Sequence, residues 1–309
     1  MTLLVSAELP SWERDGQGWP HAEASSFPRA GGLAWHVQTM GPSGGEAPEL
    51  LLLHGLGAAT HSWRDLMDPL SQHFRVIAPD LPGHGFTQRP PMNGLSLPGM
   101  SNRLGALIEA LGASPAMVVG HSVGAAIMLR MALDEQVEPR ALVSFNGAFL
   151  PFEGIAGQLF PPLARVLTFN PFVPRFFSLG AIMDPASIQR LITGTGSRIS
   201  PEGLALYRRL LRCPGHVSAA LGTMARWDLE PLIADLDRLE GALTLVTGTA
   251  DRAVGERDAE AVAAKVADAR LVELGGLGHL AHEEAPERAV ALILEAARRA
   301  GILPANEKA

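Results

Sequence analysis

The chain has 309 residues, with 25 Lys and Arg against 32 Asp and Glu, for a net charge of −7. That acidic balance argues against a nucleic-acid partner, and the single cysteine rules out an intrachain disulfide framework and fits a reducing compartment. The start, Met1-Thr2-Leu3-Leu4-Val5, lacks the basic and apolar regions of a signal peptide, and no uncharged apolar run reaches the roughly 20 residues that span a bilayer. A cytoplasmic location is expected, with membrane contact at most peripheral.

Leu50-Leu51-Leu52-Leu53 is the first clear buried strand, and it runs into His54-Gly55-Leu56-Gly57. A second, Phe74-Arg75-Val76-Ile77-Ala78, leads into the loop Asp80-Leu81-Pro82-Gly83-His84-Gly85. The third, Ala116-Met117-Val118-Val119, enters Gly120-His121-Ser122-Val123-Gly124 and then a helical pattern from Ala125 onward. G-x-S-x-G between a strand and a helix is a nucleophile elbow, a sharp turn that exposes a serine hydroxyl to a base. Ser122 is therefore the candidate nucleophile, and the backbone N–H groups of Leu56 and Val123 are the candidate oxyanion hole.

Ala141-Leu142-Val143-Ser144-Phe145 is a further strand, and an insertion separates it from a helix starting near Asp228. Seven of the 11 Phe fall at Phe149, Phe152, Phe160, Phe169, Phe172, Phe176 and Phe177, in a stretch broken by prolines. From 150 to 227, Arg165, Arg175, Arg190, Arg198, Arg208, Arg209, Arg212 and Arg226 face only Glu153, Asp184 and Glu202. The reading is a kinked, apolar and basic helical cap, with Phe149, Phe152, Phe160, Phe169, Phe172 and Phe176 lining its pocket. Such a cap suits a large flat apolar ligand with carboxylates, or an anionic membrane surface. Simple core packing is the plainer alternative for the phenylalanines.

Ala242 to Thr247 forms the next strand, with Asp251 in the loop past its end, and Ala269 to Leu274 the last, followed by Gly275-Gly276-Leu277-Gly278-His279. A closing helix covers about Pro286 to Arg299. The order Ser, acid, His belongs to one fold, in which loops past the carboxyl ends of parallel strands meet at one edge. Ser122, Asp251 and His279 are thus the expected triad. His54, His84 and His121 are expected to make structural hydrogen bonds, and His282 is an alternative base. No metal motif is present, since His282-Glu283-Glu284 does not make H-E-x-x-H, and no cofactor is implied. The expected organisation is a core from 1–149 and 228–309 around a cap at 150–227.

The chain resembles the α/β-hydrolases through His54 to Gly57, Asp80 to Gly85, Gly120 to Gly124, Asp251 and Gly278-His279. Gly255 stands where proline often follows the acid. The resemblance implies a mostly parallel sheet with helices on both faces and an inserted helical cap. A narrower resemblance is to the α/β-hydrolase-like magnesium chelatase accessory proteins of bacteriochlorophyll synthesis. It rests on Trp12 to Gly16, Trp19-Pro20, His61 to Asp65, Leu97 to Met100, Asn146 to Phe152, Gly194 to Arg198 and Gly278 to Pro286. That family implies a role near magnesium insertion into protoporphyrin, with magnesium chelatase subunits as partners. Two functions fit: a serine hydrolase acting on a small-molecule ester, thioester or amide, or a non-hydrolytic carrier of a protoporphyrin-like ligand. Serine at the elbow, where epoxide hydrolases and haloalkane dehalogenases carry aspartate, argues against those two reactions.

Overall fold

The computed structural model describes residues 9–42, 45–150, 170, 172–184 and 186–305. Eight strands form one sheet: β1 (Ser25–Ser26), β2 (Val37–Met40), β3 (Glu49–Leu53), β4 (Arg75–Pro79), β5 (Met117–His121), β6 (Ala141–Phe145), β7 (Ala242–Gly248) and β8 (Ala269–Leu274). Their spatial order is β1-β2-β4-β3-β5-β6-β7-β8. β3 to β8 run parallel, and β1 and β2 pair antiparallel at one edge. The two edge strands have no apolar run in the sequence; their place comes from pairing, as in Val37 opposite Pro79.

Side chains alternate between the faces of a strand, so a strand buried on both faces reads as a continuous apolar run. Leu50 and Leu52 point to one side, against Leu66, Met67 and Leu70 of α1 (Arg64–Ser71) and Ile293 of the closing helix Pro286–Arg299. Leu51 and Leu53 point to the other, against Leu104 and Leu107 of α2 (Leu97–Ala110) and Ile127 of α3 (Val123–Leu133). All four leucines are fully buried. α2 starts where Ser96 accepts the amide of Gly99 at 3.2 Å, with Pro98 in its first turn, where a missing N–H costs nothing.

Between β6 and β7 the chain forms α4 (Phe172–Met183), α5 (Ala186–Gly194), α6 (Pro201–Leu211) and α7 (Pro214–Met224). These helices share a small core of their own, including Ala181, Ile188, Tyr207 and Val217. A short helix, α8 (Glu230–Asp235), leads back to the sheet and is joined to α3 by Arg130 Nη1 to Asp235 Oδ2 at 2.8 Å. α9 (Glu256–Ala263), α10 (Ala281–Glu284) and α11 (Pro286–Arg299) complete the chain. No helix among the described residues is long and apolar enough to cross a membrane.

Candidate active site

β5 lies between β3 and β6, so the loop at its carboxyl end sits mid-sheet, and Ser122 occupies it with φ 52° and ψ −118°. Positive φ is costly for a residue with a Cβ, and here the backbone is held on both sides. Ser122 donates its N–H to Phe145 O at 3.1 Å, and its carbonyl accepts from Ala125 at 3.1 Å and Ala148 at 3.2 Å. Gly124 lets this turn lie against β3: a Cβ there would stand 2.2 Å from the Leu53 carbonyl oxygen. At Gly55 a Cβ would stand 2.4 Å from His121 Nδ1 and 3.2 Å from Ser122 Cβ. The glycines are thus required by close approach on both loops.

Asp251, past the end of β7, accepts from the amides of Ala253 and Val254 at 2.7 and 3.0 Å through Oδ1. Its Oδ2 meets His279 Nδ1 at 2.8 Å. Burial pushes this carboxyl up, but the hydrogen bond and charge of His279, with the two amides, outweigh it and hold Asp251 below the usual carboxylate range. A carboxylate only accepts, so His279 Nδ1 carries the hydrogen, and in the neutral ring Nε2 is left as the acceptor. Asp251 and His279 are joined directly, and His279 and Ser122 line the same cavity.

Asn146 is a third partner that the sequence did not mark as a site residue. It lies just past β6 at φ 47° and donates from Nδ2 to Asp251 Oδ2 at 2.8 Å. An Asn directly after an apolar strand, where the chain takes left-handed backbone, is the signal that could have found it. His121 approaches the backbone of His279, with Nε2 2.9 Å from the His279 carbonyl oxygen. Burial and then the neighbouring His279 push His121 down to about 3, so it stays neutral.

The cavity measures about 760 Å³ and is walled by Leu56 and Val123 beside Ser122, by Leu191 and Ile192 of α5 and by Tyr207 of α6. Among the described residues, the Leu56 and Val123 amides have no backbone acceptor. Three expected pocket residues are placed elsewhere. Phe149 is fully buried in the sheet core with its amide on Asp258 Oδ2, so the side chain faces the core while its neighbours Ala148 and Leu150 face the cavity. Phe172 and Phe176 are 58% and 71% exposed, because α4 turns that face outward. Phe152, Phe160 and Phe169 lie outside the described residues.

A buried polar cluster ties the inserted helices to the loop of His279. Glu283, on α10, accepts from Tyr207 Oη at 2.6 Å, Ser62 Oγ at 2.9 Å and Arg64 Nη1 at 2.6 Å. Burial raises the Glu283 carboxyl, and Arg64 offsets only part of that. His282 bonds Ser62 Oγ through Nε2 at 2.7 Å and does not line the cavity, which removes it as an alternative base. His54 sits between Gly55 O and the Leu81 amide, both at 2.8 Å, so it joins its own turn to the loop after β4, and His84 reaches Pro82 O at 3.2 Å within that loop. Among the described residues, no three His, Cys, Asp or Glu side chains converge as a metal site.

The sheet order, the elbow and the loops past β7 and β8 define the class: the chain belongs to the α/β hydrolase fold family, whose model matches residues 48–286. Within that class it is 42% identical over 278 residues to the magnesium-chelatase 30 kDa subunit of Rhodobacter capsulatus, covering 90% of this chain and 95% of that one, and it is a member of the same family. It is 28% identical over 266 residues to haloalkane dehalogenase 2 of Mycobacterium tuberculosis, covering 81% of this chain and 88% of that protein. The fold also matches the solved structure of the epoxide hydrolase CorEH, with a TM-score of 0.76, 23% identity, and 89% and 98% of the two chains covered.

Proposed function

We propose that this protein is a serine hydrolase that acts on an ester-type bond of a largely apolar substrate, and that it serves magnesium chelatase as an accessory in bacteriochlorophyll synthesis. The observation that carries the chemistry is the Asp251–His279 bond at 2.8 Å beside a cavity that also holds the strained Ser122. In this reading, His279 Nε2 takes the Ser122 hydroxyl proton as Oγ attacks the carbonyl carbon. The Leu56 and Val123 amides then hold the developing oxyanion, and His279 returns the proton to the leaving group. Water, activated by the same imidazole, releases the acyl group. Asp251 fixes the ring, and Asn146 fixes Asp251. A carboxylate nucleophile, needed for an alkyl-enzyme ester, has no counterpart at Ser122, which favours acyl transfer over dehalogenation or epoxide opening.

The role beside magnesium chelatase rests on the 42% identical relative and its name. A second reading, a carrier that holds a protoporphyrin-like ligand without cleaving it, is favoured by Arg252 on the wall of a largely apolar cavity of about 760 Å³, where its guanidinium faces a site for a ligand carboxylate. One experiment separates the two. In a strain lacking this gene, pigment should fall and protoporphyrin accumulate, and the wild-type gene should restore it. Ser122→Ala protein, expressed at equal level and folded, should fail to restore pigment if hydrolysis is the task. Full rescue would assign the carrier role instead.

A further inference from the structure

Among the described residues, the exposed large apolar side chains are concentrated on one helix. Phe172, Phe176, Phe177, Leu179, Ile182 and Met183 all lie on α4, out of nine such residues in all. Phe172, Phe176, Leu179 and Met183 follow the spacing i, i+4, i+7, i+11 and so form one stripe. Pro174, Ser178 and Ala181 take the opposite, buried face. Water thus meets an apolar stripe where an amphipathic surface helix would carry its polar face.

Two features say what this stripe meets. Ile182, on its flank, lines an open groove of about 630 Å³ together with Arg208 and Arg209 of α6, Arg212 just past its end, and Arg14. Asp15 is the one acid there, and it is bonded to Arg14 at 2.8 Å, while Arg209 holds the backbone oxygens of Asp15 and Gln17. Arg208 and Arg212 have no carboxylate partner among the described residues, in a protein whose overall charge is −7. α5 packs beside α4, and its Leu191 is 44% exposed and also lines the cavity that holds Ser122 and His279.

We infer that α4 and the arginine groove beside it dock this protein on an anionic lipid bilayer, with the stripe in the headgroup–acyl boundary and Arg208 and Arg212 on lipid phosphates. Apolar side chains on one helical face with cations along its flank are the pattern of an interfacial helix. The stripe offers on the order of 400 Å², short of the ~800 Å² per partner of a stable protein interface. A second copy would also bring arginines against arginines. Docked this way, α4 and the neighbouring α5, which walls the cavity through Leu191, stand at the bilayer, where a lipophilic substrate would be found.

The inference does not depend on Ser122 turning over, and its test is independent of catalysis. The full-length protein is floated with vesicles of phosphatidylcholine alone or with 30 mol% phosphatidylglycerol, a composition chosen for the assay at about 0.1 M salt, where charges are screened beyond roughly 10 Å. Wild type and Ser122→Ala should both float with the anionic vesicles, and less as salt rises. Arg208→Gln and Arg212→Gln should each weaken binding about fivefold. Met183→Ser with Phe176→Ser should weaken it more than tenfold while leaving thermal unfolding unchanged, since both side chains are exposed. Equal flotation with neutral vesicles, no flotation, or binding indifferent to the stripe variants would overturn the inference. So would a wild-type dimer that the stripe variant converts to a monomer, since a second copy would then cover α4.

Discussion

Acid should unfold this protein well before its carboxylates titrate. His61, His84 and His282 are fully buried and held well below the ordinary value of 6.5, His121 is pushed to about 3 and His216 to about 4, in each case by burial first. These rings are neutral in the native state, whereas the unfolded chain binds a proton at each below about pH 6.5. The unfolded state therefore holds more protons in that window, and stability is lost as pH falls. A ring kept neutral at pH 5.5 costs about 1 kcal/mol relative to the unfolded chain, so the five together cost several kcal/mol, a large share of a typical total of about 5–15 kcal/mol. Asp80, lowered to about 2 by His36 against the opposing effect of burial, and Asp251 contribute stability that is lost only at lower pH. Glu283, raised by burial, works in the opposite sense, binding its proton more readily in the native state. Urea unfolding followed by tryptophan fluorescence at pH 7.5 and 5.5 should show most of this loss. His61→Phe, which replaces a ring whose two nitrogens are buried without partners, should recover about one fifth of it. Equal unfolding free energies at the two pH values would refute the reasoning.

Three further outcomes follow from the site. Gly124→Ala puts a Cβ 2.2 Å from the Leu53 oxygen and should cost about 3 kcal/mol in denaturant unfolding, whereas Gly180→Ala, in open space on α4, should cost nothing. Asn146→Gly keeps the positive φ but removes the bond to Asp251, so ester hydrolysis should fall about tenfold in kcat with little change in KM. Glu283→Ala leaves Arg64 only the half-exposed Asp65 at 3.2 Å and strands the buried Tyr207 hydroxyl, and should lower stability by about 2–3 kcal/mol as read by thermal unfolding, while Tyr207→Phe should cost about 1 kcal/mol.

The central parallel strands were legible because helices cover both sheet faces there, so Leu50 to Leu53 and Met117 to Val119 are apolar runs with no polar interruption, whereas the edge strand β8 is half exposed and carries Arg270 and Glu273. The elbow was legible because its steric demands select glycine around Ser122, and the loops carrying Asp251 and His279 because they follow apolar strands. Where partners come from distant loops, the sequence has no local pattern to read. Asn146 meets Asp251 across 105 residues, and Tyr207 meets Glu283 across 76. The edge strand β1 has only two residues and takes its conformation from β2. Aromatic content in the inserted helices suggested a pocket lining, but side-chain direction decides: Phe149 turns into the core, and Phe172 and Phe176 turn to solvent. Composition alone does not distinguish these fates.

The central claim is that Ser122 is a nucleophile activated by His279 and Asp251. Treatment of the folded protein with a fluorophosphonate, followed by peptide mass spectrometry, tests it most directly. One stoichiometric adduct is expected on Ser122 and none on Ser122→Ala, with labelling slowed by at least about 100-fold in both His279→Ala and the His279→Ala, Asp251→Asn double variant, and little added loss in the second. Labelling of another residue, or equal labelling of wild type and His279→Ala, would contradict it.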